Sequence, residues 1–219
     1  METERRRVGP VIEALVNQTN VPVSVDTYKA VVARTALNCG ASLVNDVSGL
    51  RYDPALAGEV VARRAGLILS HTRGRSSDMY SQASYKAATE EIVSELEWSL
   101  KAASDAGITR EHVIVDPGLG FAKRAEHSMT VLSQLERLRS LDRPILVGPS
   151  RKSFLTAVIG NVPPAEREWG TAGAVAASVL LGAHVVRVHG VRAMVDVVRV
   201  ADAIRMHREG LSVTTTDQG

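Results

Sequence analysis

The feature that most constrains the fold of this chain is a recurrence of short apolar runs, each ending in polar residues before a helical pattern begins. These runs lie at residues 21–25, 42–44, 66–69, 113–115, 144–147 and 185–188. Apolar runs of this length between helical segments are typical of strands that are buried in a parallel sheet. The alternation therefore predicts an α/β fold in which helices connect parallel strands.

The segments between the runs carry apolar residues at helical spacing and stop at residues that end helices. In residues 85–106, for example, Ile92, Leu96 and Leu100 form one apolar stripe, and Gly107 follows as a C-terminal glycine. Further helices are predicted at residues 4–16, 29–38, 125–139, 171–182 and 194–206, and Asp53 with Pro54 marks the start of another. Residues 1–208 are thus predicted to form one domain, and residues 209–219 a flexible tail.

The composition describes one globular domain and argues against several classes of protein. Of the 219 residues, 45% are hydrophobic and 23% are charged, with a formal net charge of +2. Only 4% are aromatic and no basic run is interleaved with them, so no nucleic-acid partner is expected. No stretch reaches the roughly 20 apolar residues of a membrane helix, so no membrane partner is expected. The single cysteine, Cys39, excludes an internal disulfide and fits a reducing compartment, which makes the cytoplasm the expected location.

Polar residues follow the predicted strands, and their placement bears on the choice between two architectures. These residues are Asp26, Asn45, His71, Asp116, Ser150, Lys152, Arg187 and His189. In a barrel the C-terminal ends of all strands meet at one rim, whereas an open doubly wound sheet would spread several of these side chains apart. A closed (β/α)8 barrel, however, has eight strands and typically about 250 residues. The strand count therefore stands against a complete barrel.

Residues 113–123 contain the strand end that is most suggestive of a ligand site. The strand runs directly into Asp116, and Pro117, Gly118 and Gly120 prevent a helix or strand from continuing. A carboxylate is thereby held at the rim while the backbone stays open to a ligand. The alternative is an aspartate that only caps the following turn. The recurrence of polar strand ends along the chain favours a role in recognition.

Five motifs, in this order along the chain, resemble the dihydropteroate synthase family. They are S-V-D-T-Y-K at residues 24–29, V-N-D at 44–46, D-P-G-L-G-F at 116–121, S-R-K-S at 150–153 and R-V-H at 187–189. The resemblance implies a (β/α)8 TIM barrel of the pterin-binding type that is incomplete, with six of the eight strands present. The family's two further strands bear N-V-T-P-D-S-F-like and G-G-E-S-T-R-P-like motifs that are absent here. We therefore expect a chain that is shortened at its N-terminus.

The resemblance implies a transferase of folate biosynthesis. Family members condense (7,8-dihydropterin-6-yl)methyl diphosphate with 4-aminobenzoate and form dihydropteroate and diphosphate. Two alternatives remain: a methyltetrahydrofolate-dependent methyltransferase, which shares the pterin-binding barrel but has no need of S-R-K-S and R-V-H, and a pterin-binding relic without turnover. Because two strands of the family are absent, we expect this chain to bind a dihydropterin weakly and to form little or no dihydropteroate.

Four of the rim residues suit a pterin ring. The ring presents adjacent N–H donors, which a carboxylate accepts in a bidentate manner, and we assign this contact to Asp116. Asn45 has donor and acceptor groups for the mixed edge, while Asp26 would meet the ring from another side. The resemblance implies these same three residues as pterin ligands. Lys152 is a donor for the ring carbonyl or N5.

The other predicted site residues concern 4-aminobenzoate and diphosphate. The resemblance implies that Ser150 and Phe121 line the aminobenzoate pocket, and Arg151 of the S-R-K-S motif is placed among the substrate-binding residues. Arg187 and His189, two apart on a strand, share one face and are expected to hold the diphosphate together. For each cation, the alternative is a solvated surface position or a structural ion pair. The predicted catalytic residues are Lys152, Arg187 and His189.

The resemblance also implies a magnesium cofactor and a homodimer. In the family, an asparagine on the first strand is linked to a magnesium-bound diphosphate, and because that strand is absent here we expect no metal ligand among the residues of this chain. The small-residue helix at 171–182 resembles the dimer-forming region of the family. His71, which matches a family histidine, and His184 are both interpreted as structural.

Overall fold

The computed structural model describes residues 2–210, and six parallel strands form the centre of this part of the chain. The strands are β1 (Ser24–Asp26), β2 (Leu43–Asp46), β3 (Gly66–Ser70), β4 (Val113–Asp116), β5 (Leu146–Val147) and β6 (Val185–Val186). All six runs singled out in the sequence therefore contain a strand. The part of the predicted tail at residues 211–219 lies outside the described residues.

Helices follow the strands as the periodicity predicts. They are α1 (Glu2–Val16), α2 (Ala30–Asn38), α3 (Leu56–Ala62), α4 (Ala88–Asp105), α5 (Ala125–Ser133), α6 (Thr156–Ile159), α7 (Glu168–Leu180) and α8 (Val191–Arg208). Short 3₁₀-helices occupy Arg110–His112, Leu135–Leu141, Ser153–Leu155 and Pro164–Glu166. Within residues 2–210, no helix combines the length and apolar character that crossing a membrane requires.

The strands pair in the order in which they occur in the chain. Strands β1 to β4 form one parallel sheet, and β5 pairs with β6 in parallel. A parallel bridge between Val115 and Ile145 links the two sheets. This consecutive parallel order is that of a TIM-barrel wall, whereas a doubly wound sheet would reverse its order at a switch point.

The strand register separates an apolar outer face from an inner face that carries the polar strand ends. Val25, Val44 and Leu67 lie side by side and pack in the core beneath the helices. One residue further along, Asp26 lies beside Asn45. Because successive side chains of a strand point to opposite faces, this second row faces away from the helices. The polar strand ends are thereby gathered inside the rim.

Two strands are shorter than the apolar runs suggest, and a proline explains each difference. Strand β1 begins at Ser24 rather than at residue 21, because Val21 is exposed and Pro22 has no N–H for the ladder. Strand β5 is limited to Leu146–Val147 because Pro144 also lacks a donor, although its carbonyl oxygen accepts a hydrogen bond from Val115 N.

The helix predicted at residues 125–139 is wrong in its second half. Helix α5 ends at Ser133, and the 3₁₀-helix Leu135–Leu141 follows. The buried residues of this segment, Leu135, Leu138 and Leu141, are spaced by three. A 3₁₀-helix has three residues per turn, so it aligns all three leucines in one row, whereas an α-helix would spread them over an arc of about 120°.

Asp53 caps the first turn of α2 in addition to the turn that leads into the predicted helix, α3. Its Oδ2 accepts a hydrogen bond from Ala30 N at the start of α2, at 2.8 Å, and its Oδ1 accepts one from Ala55 N, at 3.1 Å. Helix α3 begins only at Leu56. Asp53 therefore ties the loop before α3 to the first turn of α2.

Candidate active site

Three predicted site residues from distant parts of the chain meet at the C-terminal ends of the strands. Asp26 Oδ2 accepts a hydrogen bond from Asn45 Nδ2 at 3.0 Å and another from Arg187 Nη1 at 2.9 Å. Arg187 and Asp26 are 161 residues apart in sequence. The contact joins the ends of β6 and β1, so the rim brings its polar residues together as the barrel prediction requires.

Asn45 carries a buried acceptor that has no partner. The residue is 3% exposed, and its Oδ1 makes no hydrogen bond in the structure. A buried polar atom without a partner costs about 1–3 kcal/mol, and such atoms are rare in native proteins. The unpartnered oxygen lies on the same amide that contacts Asp26. It is therefore free to accept a hydrogen bond from a ligand N–H.

Asp116 is a buried carboxylate held by its own loop and by the neighbouring strand. Ser70 Oγ donates to its Oδ2 at 3.1 Å, and Gly118 N donates to its Oδ1 at 2.7 Å. An ionised carboxylate has about four lone-pair sites, so each oxygen can accept one more hydrogen bond. Asp116 is thus oriented and still able to accept the bidentate contact predicted for it.

The glycine after Asp116 is required by the geometry of the loop. Gly118 has φ of +65°, and a Cβ at this position would overlap the carbonyl oxygen of His71. Only glycine allows β3 and the loop after β4 to approach so closely. This backbone was predicted to be open to a ligand, but at Gly118 it packs against the end of β3.

Lys152 lies over the same loop. Its Nζ donates to the carbonyl oxygen of Leu119 and stands 4.5 Å from the centroid of the Phe121 ring. Burial lowers the pKa of Lys152 to about 8, the charge of Asp116 opposes this shift, and Arg187 adds to it. Lys152 therefore lies beside Phe121 and near enough to Asp116 for the two charges to interact.

Ser150 and His189 form a hydrogen-bonded pair at the ends of β5 and β6. Ser150 Oγ lies 2.8 Å from His189 Nδ1, and His189 N donates to the same hydroxyl at 3.2 Å. Arg187 donates its hydrogen bond to Asp26 instead. The two members of the R-V-H motif therefore contact different partners in the ligand-free protein, although both lie at the end of β6.

Arg151 occupies a left-handed backbone conformation, with φ of +57°. Three contacts hold it there: its N–H donates to Thr171 Oγ1 at 3.0 Å, its Nε to Glu168 Oε2 at 3.1 Å, and its carbonyl accepts from Arg167 Nη1 at 2.9 Å. The structure thus pairs the Arg151 side chain with α7, while the adjacent Lys152 turns to the loop after β4.

The sequence reasoning assigned no role to Lys123, which the structure places behind the site. The residue is 3% exposed, and burial lowers its pKa to about 7 against the opposing charge of Asp116. Its Nζ lies 2.8 Å from Nδ1 of His71. A lysine that ends an apolar, glycine-rich motif was the signal available in the sequence.

His71 is buried and neutral, as befits a structural histidine. Burial and the charge of Lys123 lower its pKa to about 3. Because Lys123 donates to Nδ1, the ring proton is placed on Nε2, which lies 3.1 Å from Glu95 Oε2. Burial of Glu95 acts in the opposite direction, but hydrogen bonds from His71 and Arg73 hold the pKa of Glu95 well below its usual range.

The described residues do not fit a magnesium ion on their own. Among residues 2–210 there is no group of three or more His, Cys, Asp or Glu side chains that could hold a metal ion. Asp26 and Asp116 engage different partners, with Asp26 bound to Asn45 and Arg187 and Asp116 bound to Ser70.

Comparison with known proteins identifies the family. Residues 1–189 match the family described as pterin binding enzyme. The dihydropteroate synthase of Synechocystis sp. is 40% identical over 204 residues, which cover 93% of this chain and 71% of that protein.

Two solved structures of dihydropteroate synthase from Thermus thermophilus are also similar. The complex with 6HMPPP has a TM-score of 0.87 and 37% identity, over 93% of this chain and 80% of that one. The complex with 4-aminobenzoate has a TM-score of 0.86 and 36% identity, over 91% of this chain and 77% of that one. The chain therefore belongs to the pterin-binding enzyme family, to which these similar dihydropteroate synthases point.

Proposed function

We propose that the rim around Asp26, Asn45 and Asp116 is the pterin site of a dihydropteroate synthase-like transferase of folate biosynthesis. The observation that carries this proposal is the buried Asn45 Oδ1, which has no hydrogen-bond partner within the protein. A pterin ring offers an N–H to this oxygen and adjacent N–H donors to Asp116, which has free lone pairs. The Thermus relative solved with 6HMPPP supports the proposal by similarity.

The leaving diphosphate is assigned to Arg187 and His189. In the ligand-free protein Arg187 pairs with Asp26, and their side chains are 38% and 58% exposed. An ion pair this exposed contributes only about 0–1 kcal/mol, so the guanidinium is readily redirected to a diphosphate. Arg187 and His189 would then stabilise the negative charge that develops as the C–O bond to diphosphate breaks.

The attacking amine is that of 4-aminobenzoate. This substrate would be held beside Phe121, Ser150 and Lys152. Lys152 stacks on the Phe121 ring and donates to the Leu119 carbonyl. With three donors on its ammonium, it has two left for a pterin carbonyl or N5. Arg151, which is bound to Glu168, supports this wall through its backbone rather than through its guanidinium. The Thermus relative solved with 4-aminobenzoate supports the choice of substrate.

Two finer properties complete the proposal. We propose a homodimer that forms through α7 and α8, because Val200 and Ile204 of α8 are exposed apolar residues beside a groove between these helices. We propose the cytoplasm as its location, in agreement with the free Cys39. No step of the mechanism is assigned to magnesium, since the residues in the described range do not form a site for it.

Calorimetric titration with (7,8-dihydropterin-6-yl)methyl diphosphate tests the proposed site, and a coupled assay for diphosphate tests the reaction. Binding that is weakened by Asn45→Leu supports the pterin site, and absence of binding to the parent protein contradicts it. Diphosphate release that depends on 4-aminobenzoate supports the transferase. Binding without any release fits the expectation that this chain forms little or no dihydropteroate and is shared with the pterin-binding relic, whereas binding of methyltetrahydrofolate in preference would support the methyltransferase.

A further inference from the structure

Lys123 is a buried cation that the proposed mechanism does not use. Its Nζ contacts Nδ1 of His71 at 2.8 Å and the carbonyl oxygens of Gly118 and Phe121 at 3.1 and 3.0 Å. An ammonium group has three donors, and these contacts occupy all of them. A side chain that is anchored in this way cannot swing into the site, so any role it has is exerted through its partners.

The partners of Lys123 belong to the loop that carries the site. In residues 118–122, four of the five carbonyl oxygens accept hydrogen bonds from side chains outside this range. Lys123 binds those of Gly118 and Phe121, Lys152 binds that of Leu119, and Tyr85 binds that of Ala122 at 3.0 Å. Loop carbonyls are normally solvated or bound within the turn. This loop is additionally fixed by the ammonium groups of Lys123 and Lys152.

The position of this loop determines the orientation of two site residues. Gly118 N donates to Asp116 Oδ1 at 2.7 Å, so a shift of Gly118 turns the carboxylate. Phe121 carries the ring over which Lys152 stands. Hydrogen bonds to charged groups are strong and geometrically demanding, so a displaced carboxylate loses much of its bidentate contact.

His71 is the fixed support of Lys123. Its Nδ1 is an acceptor because its Nε2 proton is directed to Glu95, and Arg73 Nε holds Glu95 at 2.8 Å. These contacts extend from the first turn after β3 to helix α4. The chain of bonds from Arg73 through Glu95 and His71 thus ends at the ammonium that holds the loop.

We propose that Lys123, supported by His71, is a positioning residue that sets the 118–122 loop and thereby orients Asp116 and Phe121 for substrate. This inference rests on the proposed function of the rim. Lys123 does not touch the substrate in this account. Its removal therefore acts on affinity through the loop.

The first test compares Lys123→Met with Lys101→Met in the full chain. Lys101 is 73% exposed and pairs with Asp105 on α4, so the same substitution there serves as the matched control. Each protein is titrated with (7,8-dihydropterin-6-yl)methyl diphosphate, well below its melting temperature. We expect Lys123→Met to weaken binding about tenfold or more and Lys101→Met to leave it within about twofold.

A ligand-free measurement separates this inference from the proposed function. Hydrogen exchange of the Gly118, Gly120 and Phe121 amides reports the loop directly, and all three are hydrogen-bonded in the parent protein. Faster exchange there in Lys123→Met, together with weaker binding, supports the inference. Unchanged exchange, or faster exchange with unchanged affinity, overturns it. A parent protein that does not bind the pterin refutes the proposed function, and with it the substrate role of Lys123.

If Lys123→Met does not fold, a second pair of variants tests the contact between Lys123 and His71. His71→Asn keeps an acceptor near the position of Nδ1, whereas His71→Gln keeps a donor near Nε2 and loses the bond to Lys123. We expect the Gln variant to bind the pterin several-fold more weakly and to exchange the loop amides faster than the Asn variant. Equal affinity and equal exchange in the two variants would overturn the role of the Lys123 contact.

Discussion

At the residue scale, Asn45 and Asp26 share a hydrogen bond, yet only the nitrogen of the Asn45 amide has a partner. Its Nδ2 donates to Asp26, and its Oδ1 is buried without a partner. Asp116, in contrast, already accepts two hydrogen bonds that orient it. The site therefore combines an oriented carboxylate with an unpaired acceptor, for which we propose a ligand N–H as the partner; a residue kept for function at a cost in stability has this pattern.

Asn45→Leu should separate stability from binding. Leucine has a similar volume and removes an unsatisfied oxygen worth about 1–3 kcal/mol, while the lost bond to the Asp26 carboxylate is worth about 1.5–3 kcal/mol, so the two effects nearly cancel. We expect a free energy of unfolding close to that of the parent protein, and pterin affinity lower by about tenfold or more. Urea denaturation and calorimetry measure the two quantities. A strongly destabilised variant would contradict this interpretation of the amide.

His71 should make stability depend on pH in a defined direction. Its pKa is about 3 in the folded protein, below the ordinary value of 6.5, so the unfolded chain binds a proton that the folded one does not. The contribution is complete above pH 6.5 and is lost as pH falls toward 3, at up to about 1.4 kcal/mol per pH unit. We expect the free energy of unfolding to fall between about pH 6.5 and 5, and less steeply in His71→Gln. Equal slopes would contradict the assignment.

At the scale of elements, the alternation of strands and helices was predictable because apolar periodicity follows burial. The register of the paired strands confirms the predicted parallel sheet. The 3₁₀-helix Leu135–Leu141 was not predicted because the spacing of its leucines by three was absorbed into a longer helical pattern. The contacts of Asp53 with α2 and of Lys123 with His71 were beyond prediction, since both join residues that are distant in sequence.

The loop after β4 provides a matched test of backbone geometry with Gly118→Ala and Gly107→Ala. Both glycines have positive φ, but a Cβ at Gly107 meets nothing within 4 Å, whereas one at Gly118 overlaps the His71 carbonyl. We expect Gly107→Ala to cost about 1 kcal/mol from backbone strain alone, and Gly118→Ala to cost clearly more and to abolish pterin binding. Denaturation of both variants measures the difference. Similar losses in the two would show that the loop is not in close contact with β3.

At the scale of the whole molecule, the rim assembles from residues that are far apart in sequence. The contact between Arg187 and Asp26 spans 161 residues, so the site forms only when the first and last strands described are both in place. Five short motifs were enough to place the members of the rim. Their pairing in the ligand-free protein, Arg187 with Asp26 and His189 with Ser150, followed from the structure alone.

Val200→Asp tests the proposed homodimer. Val200 is 63% exposed on α8 and lines the groove with Ala176 and Leu180. A charge buried in an apolar interface is costly, so we expect the variant to sediment as a monomer at concentrations where the parent protein is a dimer. Val21→Asp, at a residue that is 68% exposed before β1, is the control and should not change the mass. A monomeric parent protein would contradict the proposal.

The most direct test of the central claim is the pterin affinity of Asp116→Asn compared with that of Asp26→Asn. Calorimetry with (7,8-dihydropterin-6-yl)methyl diphosphate would measure the dissociation constants of both variants and of the parent protein. Because the buried Asp116 is assigned the bidentate contact, Asp116→Asn should weaken binding about ten- to a hundredfold, and more than Asp26→Asn does. Equal affinity of the Asp116 variant and the parent protein would remove Asp116 from the site and contradict the account.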